Sequence, residues 1–349
     1  MTPAAWPRDG SAWTRLLHVD PAAGTFADRV ITDLPALLGP GDLLVVNDAG
    51  TVPASLAGAA DGQPLEVRLA APGEGPTEWT AVLFGTGSWR PRTEDRPPPP
   101  LLRAGDRIEL GPDLRAEVRR VWPISPRLVD LSLESAEGGV WPALFRAGRP
   151  VQYSHLAGPL ALWHVQTPYG SRPWAVEAPS AGRPLTIALI QDLRRRGIRL
   201  ERLTHAAGLS STGDPAIDAW LPLPERYEIP ADTVEAVADS RAKGGRVVAV
   251  GTTVVRALEG GAAANGGCLR AGAGVTDLRM GRQHRLQVVN GLLTGLHEPG
   301  TSHFSLASAF APTALLEAAF LHAEERGYLG HEFGDSSLLL PLTPQGRWC

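Results

Sequence analysis

Arg246 to Glu259 reads RVVAVGTTVVRALE, and the change of pattern at its centre sets the fold. Val247 to Val250 is a short apolar run, of the kind that forms a strand buried on both faces in a sheet flanked by helices. Gly251 lets the backbone turn sharply at the strand's end. Thr252 and Thr253 then stand where hydroxyls cap a helix, and Val254, Val255 and Leu258 take up helical apolar spacing. Such a junction offers N–H groups and hydroxyls at the carboxyl edge of a sheet, where α/β proteins bind anionic or nucleotide-like ligands. Many proteins use the same turn as a plain connector, so these residues alone leave both readings open.

Outward from the junction, helices and strands alternate. Pro230 opens a helix that runs through EAVADSRAK and stops at Gly244 and Gly245. Leu185, Leu189 and Leu193 mark another, closing at Gly197. APTALLEAAFLHAEERGYLG predicts an amphipathic helix with Leu315, Ala318, Ala319 and His322 among its spaced positions. GDLLVVND (Gly41 to Asp48) predicts a buried strand. From Leu65 to Leu133 the pattern differs: LEVRLA, EWTAVLF, DRIEL, RAEVRRVW and RLVDLSL are short runs separated by Gly, Pro and Asp. Short strands at this spacing predict a small antiparallel barrel or sandwich. Pro97 to Pro100 cannot form a central strand and is expected as an exposed loop. The fold class expected is α/β, with helices packed on a mixed sheet and a small antiparallel β-barrel inserted. Residues 1–56 and 151–349 would form the α/β catalytic domain, and 57–150 the barrel.

The 349 residues are 43% hydrophobic and 20% charged, an ordinary balance for a soluble enzyme with a sizeable core. Cys268 and Cys349 have no metal or redox spacing, which argues against a disulfide scaffold. MTPAAWPRDG holds no secretory core, and no run approaches a membrane span, so a cytoplasmic location is expected. Lys243 is the sole lysine, and the formal net charge is −4. Nucleic-acid binding would therefore need a local basic face. Arg194, Arg195, Arg196, Arg199 and Arg202 offer one, but a solvated helix end is the simpler account of them.

Polar residues gather in four further places. Asn47 and Asp48 end the first buried strand, and Gln166, Thr167 and Tyr169 precede the turn Pro179-Ser180-Ala181-Gly182. Thr294, His297, Glu298, Ser302 and His303 form a third group, and His331, Glu332, Gly334 and Asp335 a fourth. His297 and His303 are six apart, which does not set both on one helix face, so a zinc pair is not expected there. No Gly-x-Ser-x-Gly, Walker loop or CxxC occurs, leaving hydrolase-elbow, nucleotide-kinase and thiol-redox chemistry without support.

In chain order, GDLLVVNDAGTVPASL, VQTPYG, WAVEAPSAGRPLT, ERYEIP, GGRVVAVGTTVVRALE, VTDL, LLTGLHEPGTS and FGDSSLLL resemble motifs of one family. It is the S-adenosylmethionine:tRNA ribosyltransferase-isomerase family of queuosine synthesis, and the similarity runs from about Arg8 to Leu340. The resemblance implies transfer of the ribosyl part of S-adenosylmethionine to the aminomethyl group of a 7-deazaguanine in tRNA. Isomerisation to an epoxycyclopentane then gives epoxyqueuosine, with adenine and methionine released. A base must remove the proton at C5′ beside the sulfonium, and a donor must help adenine leave. The positive sulfur already stabilises the developing carbanion, so no metal is expected.

Motif position and this chemistry together assign His297 to proton transfer, with Glu298 or Asp335 orienting it. Gly251, Thr252, Thr253, Arg256 and Thr294, with Asn47 and Asp48, would hold the cofactor, Arg256 pairing with the methionine carboxylate. Gln166, Thr167, Tyr169, Pro179, Ser180, Ala181 and Gly182 would hold the adenosyl or deazaguanine side, as would Thr276 and Asp277. The expected partners are S-adenosylmethionine and tRNA, with no membrane, in a monomer or small homo-oligomer. The chain also departs from the family. Gly50 and Ser55 stand where it has arginines, and Pro184 and Leu223 where it has histidines. His205 is displaced by one position, while Glu225 is kept. Losing such groups removes phosphate or base contacts. A non-tRNA acceptor, such as a small deazapurine or specialised metabolite, and a non-catalytic binding homologue therefore stay open beside the tRNA reading.

Overall fold

The computed structural model describes residues 1–8 and 14–342; Cys349 lies outside them, and Cys268 is exposed. The chain begins with a hairpin, β1 (Arg15–Asp20) and β2 (Thr25–Val30), then a short α1 (Leu34–Leu37) and β3 (Leu43–Asn47). After β4 (Ala49–Thr51) come six strands: β5 (Ser55–Ala60), β6 (Gln63–Pro72), β7 (Glu78–Gly85), β8 (Arg107–Glu109), β9 (Leu114–Val121) and β10 (Leu128–Ser135). These close into a barrel in the order β10-β7-β6-β5-β8-β9, every pair antiparallel. Pro97 and Pro98 lie exposed outside its strands.

Beyond the barrel run α2 (Val140–Ala147), β11 (Arg172–Ala175), α3 (Ile187–Arg195), β12 (Arg199–His205), α4 (Pro215–Asp218) and β13 (Glu225–Ile229). Next come α5 (Ala231–Ala242), β14 (Val247–Val250), α6 (Thr252–Ala263), β15 (Gly272–Thr276) and β16 (Gly291–Gly295). The last elements are α7 (Ser302–Ala307), α8 (Thr313–Glu325) and β17 (Ser336–Leu339). Nine strands form one mixed sheet, β15-β13-β12-β3-β14-β16-β17-β1-β2. Its centre is parallel: β12, β3, β14 and β16 run in one direction, and β17 runs against β16. The α/β architecture with an inserted antiparallel barrel is therefore as the sequence predicts.

The continuous apolar strands work by alternation. In β3, Leu43 and Val45 join the core on one face of the sheet, and Leu44 and Val46 the core on the other. In β14, Val247 and Ala249 likewise face the first, and Val248 and Val250 the second. Period-two side chains buried on both faces are what a helix-covered parallel strand requires. Helices α5, α6, α7 and α8 supply residues to the first core; α1 and α3 supply the second.

Two local expectations need correction. Gly251, not a threonine, is the N-cap of α6, and no side chain caps it; Thr252 and Thr253 are the first helical residues. Gly251 sits at φ 94°, a left-handed backbone that glycine adopts without strain, so the turn is complete one residue early. In α8 the buried positions are Leu316, Ala319, Phe320 and Ala323, while Ala318 is exposed. The buried stripe is thus displaced from Leu315, Ala318 and His322, because His322 and the adjacent Tyr328 turn to Asp28 of β2. The arginines around α3 behave as a solvated helix end: Arg195 and Arg196 pair with Asp192, Arg199 with Glu201, and Arg202 with Asp48. Among the described residues no helix is long and apolar enough to cross a membrane.

Candidate active site

Parallel strands β3, β14 and β16 end at one edge of the sheet, and because β17 is antiparallel to β16, the loop before β17 returns there too. A cavity of about 440 Å³ opens at this edge. Gly251, Thr252, Thr253 and Arg256 of the β14–α6 junction line it, with Thr294, Gly295, His297 and His303 after β16. Pro179, Ser180 and Ala181 form another wall, and His331, Glu332 and Phe333 a third. Val176 and Leu209 also line it while packing into the barrel's core, so the cavity lies where barrel and sheet meet.

His297 and His303 stack within it, ring centroids 4.9 Å apart and planes 20° from parallel. The turn after β16 brings together two rings that helical spacing keeps apart. Thr294 Oγ1 lies 2.8 Å from His297 Nε2. Burial, and then the neighbouring His303, hold the His297 imidazole down at about 3; burial and Arg256 lower His303. Both rings are therefore neutral at physiological pH. The expected orienting carboxylates do not serve His297. Glu298 is exposed and pairs with the Met1 amine. Asp335 is buried, accepting from Arg8 Nη1 at 2.8 Å and from the N–H groups of Arg15 and Leu329. Both carboxylates are engaged away from His297, and the group that meets its ring edge is the Thr294 hydroxyl.

Arg256 is buried on α6, donating Nη1 to Glu225 and Nε to the Leu278 carbonyl, while its Nη2 has no hydrogen-bond partner among the described residues. Glu225 also accepts from Gly208 N–H, and His205 Nε2 lies 3.3 Å from it. Burial pushes the Glu225 carboxyl up, opposed by Arg256; burial and Arg256 push His205 down to about 3. Arg256 is thus ion-paired to Glu225 and keeps one unpartnered donor, Nη2, in a residue that lines the cavity.

Several predicted residues support the site without lining it. Asn47 Nδ2 donates to the His205 carbonyl at 3.0 Å and lies 3.4 Å from Thr253 Oγ1, fixing the threonine. Asp48 accepts from Thr204 and Ser171, tying β3 to β12. Gln166 exchanges two hydrogen bonds with the backbone of Thr51, which does line the cavity. Thr167 is buried beside it. Tyr169 packs in the second core, and a Cβ on Gly182 would come within 1.9 Å of its hydroxyl, so Gly182 is a packing glycine. Thr276 Oγ1 accepts from Leu278 N–H, and Asp277 is exposed; neither reaches the cavity.

Residue patterns missed Glu177 and Tyr153. Both line the cavity, and the Tyr153 hydroxyl donates to Glu177, which also accepts from Ser210 N–H at 3.0 Å. Burial pushes the Glu177 carboxyl up to about 7. A carboxylate inside the apolar run WAVEAP was the available signal, since an ionisable group among apolar neighbours is costly without purpose.

A family model described as a queuosine biosynthesis protein matches residues 2–339. A relative from Thiobacillus denitrificans, described as an S-adenosylmethionine:tRNA ribosyltransferase-isomerase, is 35% identical over 345 residues, covering 96% of this chain and 93% of its own. Another so described, from Gloeobacter violaceus, is 36% identical over 352 residues, with 97% and 91% covered. The crystal structure of an S-adenosylmethionine tRNA ribosyltransferase from Thermotoga maritima superposes with a TM-score of 0.52 at 23% identity, covering 97% of this chain and 96% of that one, and shares its fold. Matched almost end to end by that model and by these relatives, the chain belongs to the queuosine biosynthesis protein family.

Proposed function

We propose that this enzyme transfers and isomerises the ribosyl group of S-adenosylmethionine onto the aminomethyl group of a 7-deazaguanine in tRNA, giving epoxyqueuosine and releasing adenine and methionine. One observation carries the reading: in a chain of this family, a cavity at the carboxyl edge combines the amino end of α6, Arg256 with an unpartnered Nη2, and two neutral stacked imidazoles. Thr252 and Thr253 N–H groups with Arg256 suit the methionine carboxylate. Neutral His297 and His303 do not repel a sulfonium, and Glu177 favours a cation when it is ionised.

His297 is positioned by Thr294 to accept a proton, but an imidazole held near 3 is a weak base. Glu177, near 7, is better matched to moving a proton at physiological pH, either from C5′ or to the departing adenine. Holding both substrates at one site supplies much of the remaining acceleration. A second reading is favoured by the wall of Val151, Leu156, Leu160, Val165 and Leu209, which suits a small uncharged acceptor better than phosphates.

The test is incubation with S-adenosylmethionine, with and without tRNA carrying the aminomethyl base, following adenine and methionine. Release that requires this tRNA is expected. Equal release with a free deazapurine, or with no acceptor, would replace the tRNA reading with the second. His297→Ala should lower turnover strongly and leave S-adenosylmethionine binding largely intact; unchanged turnover would remove His297 from the chemistry.

A further inference from the structure

At the rim of this cavity, between the chain leaving the barrel domain and the loop before β17, three side chains converge that the reaction does not use. His155 Nε2 lies 3.1 Å from Glu332 Oε2. The rings of His155 and His331 are 4.4 Å apart at 35°. One donor atom from each of the three lies within 4.8 Å of the other two. We propose that His155, His331 and Glu332 form a binding site for a divalent transition-metal ion of the zinc class.

The donor chemistry suits such an ion: two imidazole nitrogens and one carboxylate are a common borderline-soft set, whereas Mg²⁺ and Ca²⁺ prefer oxygen alone. The spacing suits it as well. At metal–ligand distances of about 2.0–2.2 Å, the edges of a tetrahedron are roughly 3.3–3.5 Å long. The His155–Glu332 separation is already close to that, and the widest donor separation needs a shift of about an ångström, within reach of side-chain rotation. His331 also adopts a left-handed backbone, φ 65°, which is uncommon for a residue with a Cβ. That conformation sets its ring against His155, 176 residues earlier in the chain. Backbone strain held in place at a cavity is typical of a ligand site. Three protein ligands leave the remaining positions to water or to a molecule in the cavity that His331 and Glu332 line. His297 and His303, the other close histidine pair, stand without a carboxylate in the set and are not part of this site.

The site is independent of the transferase reading, and its test needs neither S-adenosylmethionine nor tRNA. The purified protein, stripped with a chelator, is titrated at neutral pH with Zn²⁺ by calorimetry and with Co²⁺ by visible absorption. One equivalent of Co²⁺ with tetrahedral bands, displaced by Zn²⁺, is expected. His155→Ala, His331→Ala and Glu332→Gln should each weaken binding more than about tenfold. The His297→Ala/His303→Ala double variant should bind as the parent does. Circular dichroism confirms that each variant is folded, and His331→Gly, which relieves the backbone, serves should His331→Ala misfold. Absence of stoichiometric binding overturns the proposal. So does binding kept by the His155 and His331 variants, or lost in the His297/His303 variant.

Discussion

At the residue scale, the site contains ionisable groups whose ordinary behaviour has been inverted by burial. Glu177 is the sharpest case, because its carboxyl is raised to about 7 against an ordinary carboxylate value. Between those two pH values the folded chain binds a proton that the unfolded chain has released. Stability from this group is therefore full at acid pH and is lost as pH rises through about 7. Glu177→Gln cannot ionise, so its melting temperature should gain on the parent's from pH 5 to pH 8; a constant difference would mean that Glu177 titrates normally. The same variant should lower kcat by about 10²-fold or more if Glu177 moves a proton, and should remove the limb of the pH–rate profile near 7. An unchanged profile would confine Glu177 to a structural role. Only the apolar run WAVEAP around Glu177 hinted at this, since the groups that enclose its carboxyl, Tyr153 and Ser210 among them, come from other segments.

Elements were the most legible scale. Val247–Val250 and Leu43–Asn47 declared themselves as strands because unbroken apolar runs of that length need cover on both faces. Helix faces were less legible: in α8 the stripe read from spacing shared only Ala319 with the buried one, because His322 turns to Asp28 of β2. The observed seating of α8 carries an energetic consequence. Leu316 is 6% exposed and Leu321 58%. Leu316→Ala should cost about 2–3 kcal/mol in urea unfolding, while Leu321→Ala should stay within about 0.5 kcal/mol. Equal costs would show that α8 is seated differently. The glycine turn into α6 was readable as a turn, but its capping was not, because threonine hydroxyls and a left-handed glycine end a strand equally well.

The whole molecule is joined where barrel and sheet share the cavity wall. Arg127 of the barrel donates to the Thr212 carbonyl, and Ser125 donates to Asp214. Gly208 lies against the barrel so closely that a Cβ would sit 2.7 Å from the Ala70 carbonyl oxygen. Its N–H also holds Glu225, the partner of Arg256. Gly208→Val should therefore force barrel and sheet apart, costing about 1–3 kcal/mol in stability and weakening S-adenosylmethionine binding in calorimetry. Normal affinity in a destabilised variant would show that the seam serves stability alone.

The sequence by itself determined the strands, the barrel and the family, because apolar period, turn residues and ordered motifs are local properties of the chain. It also marked Thr252, Thr253, Arg256 and His297 through the segments that carry them. The tertiary structure alone decided which polar residues face the cavity. It set Asp335, Glu298, Asp48 and Gln166 to other partners, and gathered Glu177, Tyr153, His155 and His331 from distant segments. The physical reason lies in how environment acts: burial, charge neighbours and strand direction fix a side chain's proton affinity and reach. Those are set by whatever packs against it, and the partners come from other segments of the chain: Tyr153 and Ser210 for Glu177, Thr51 for Gln166, Arg8 for Asp335.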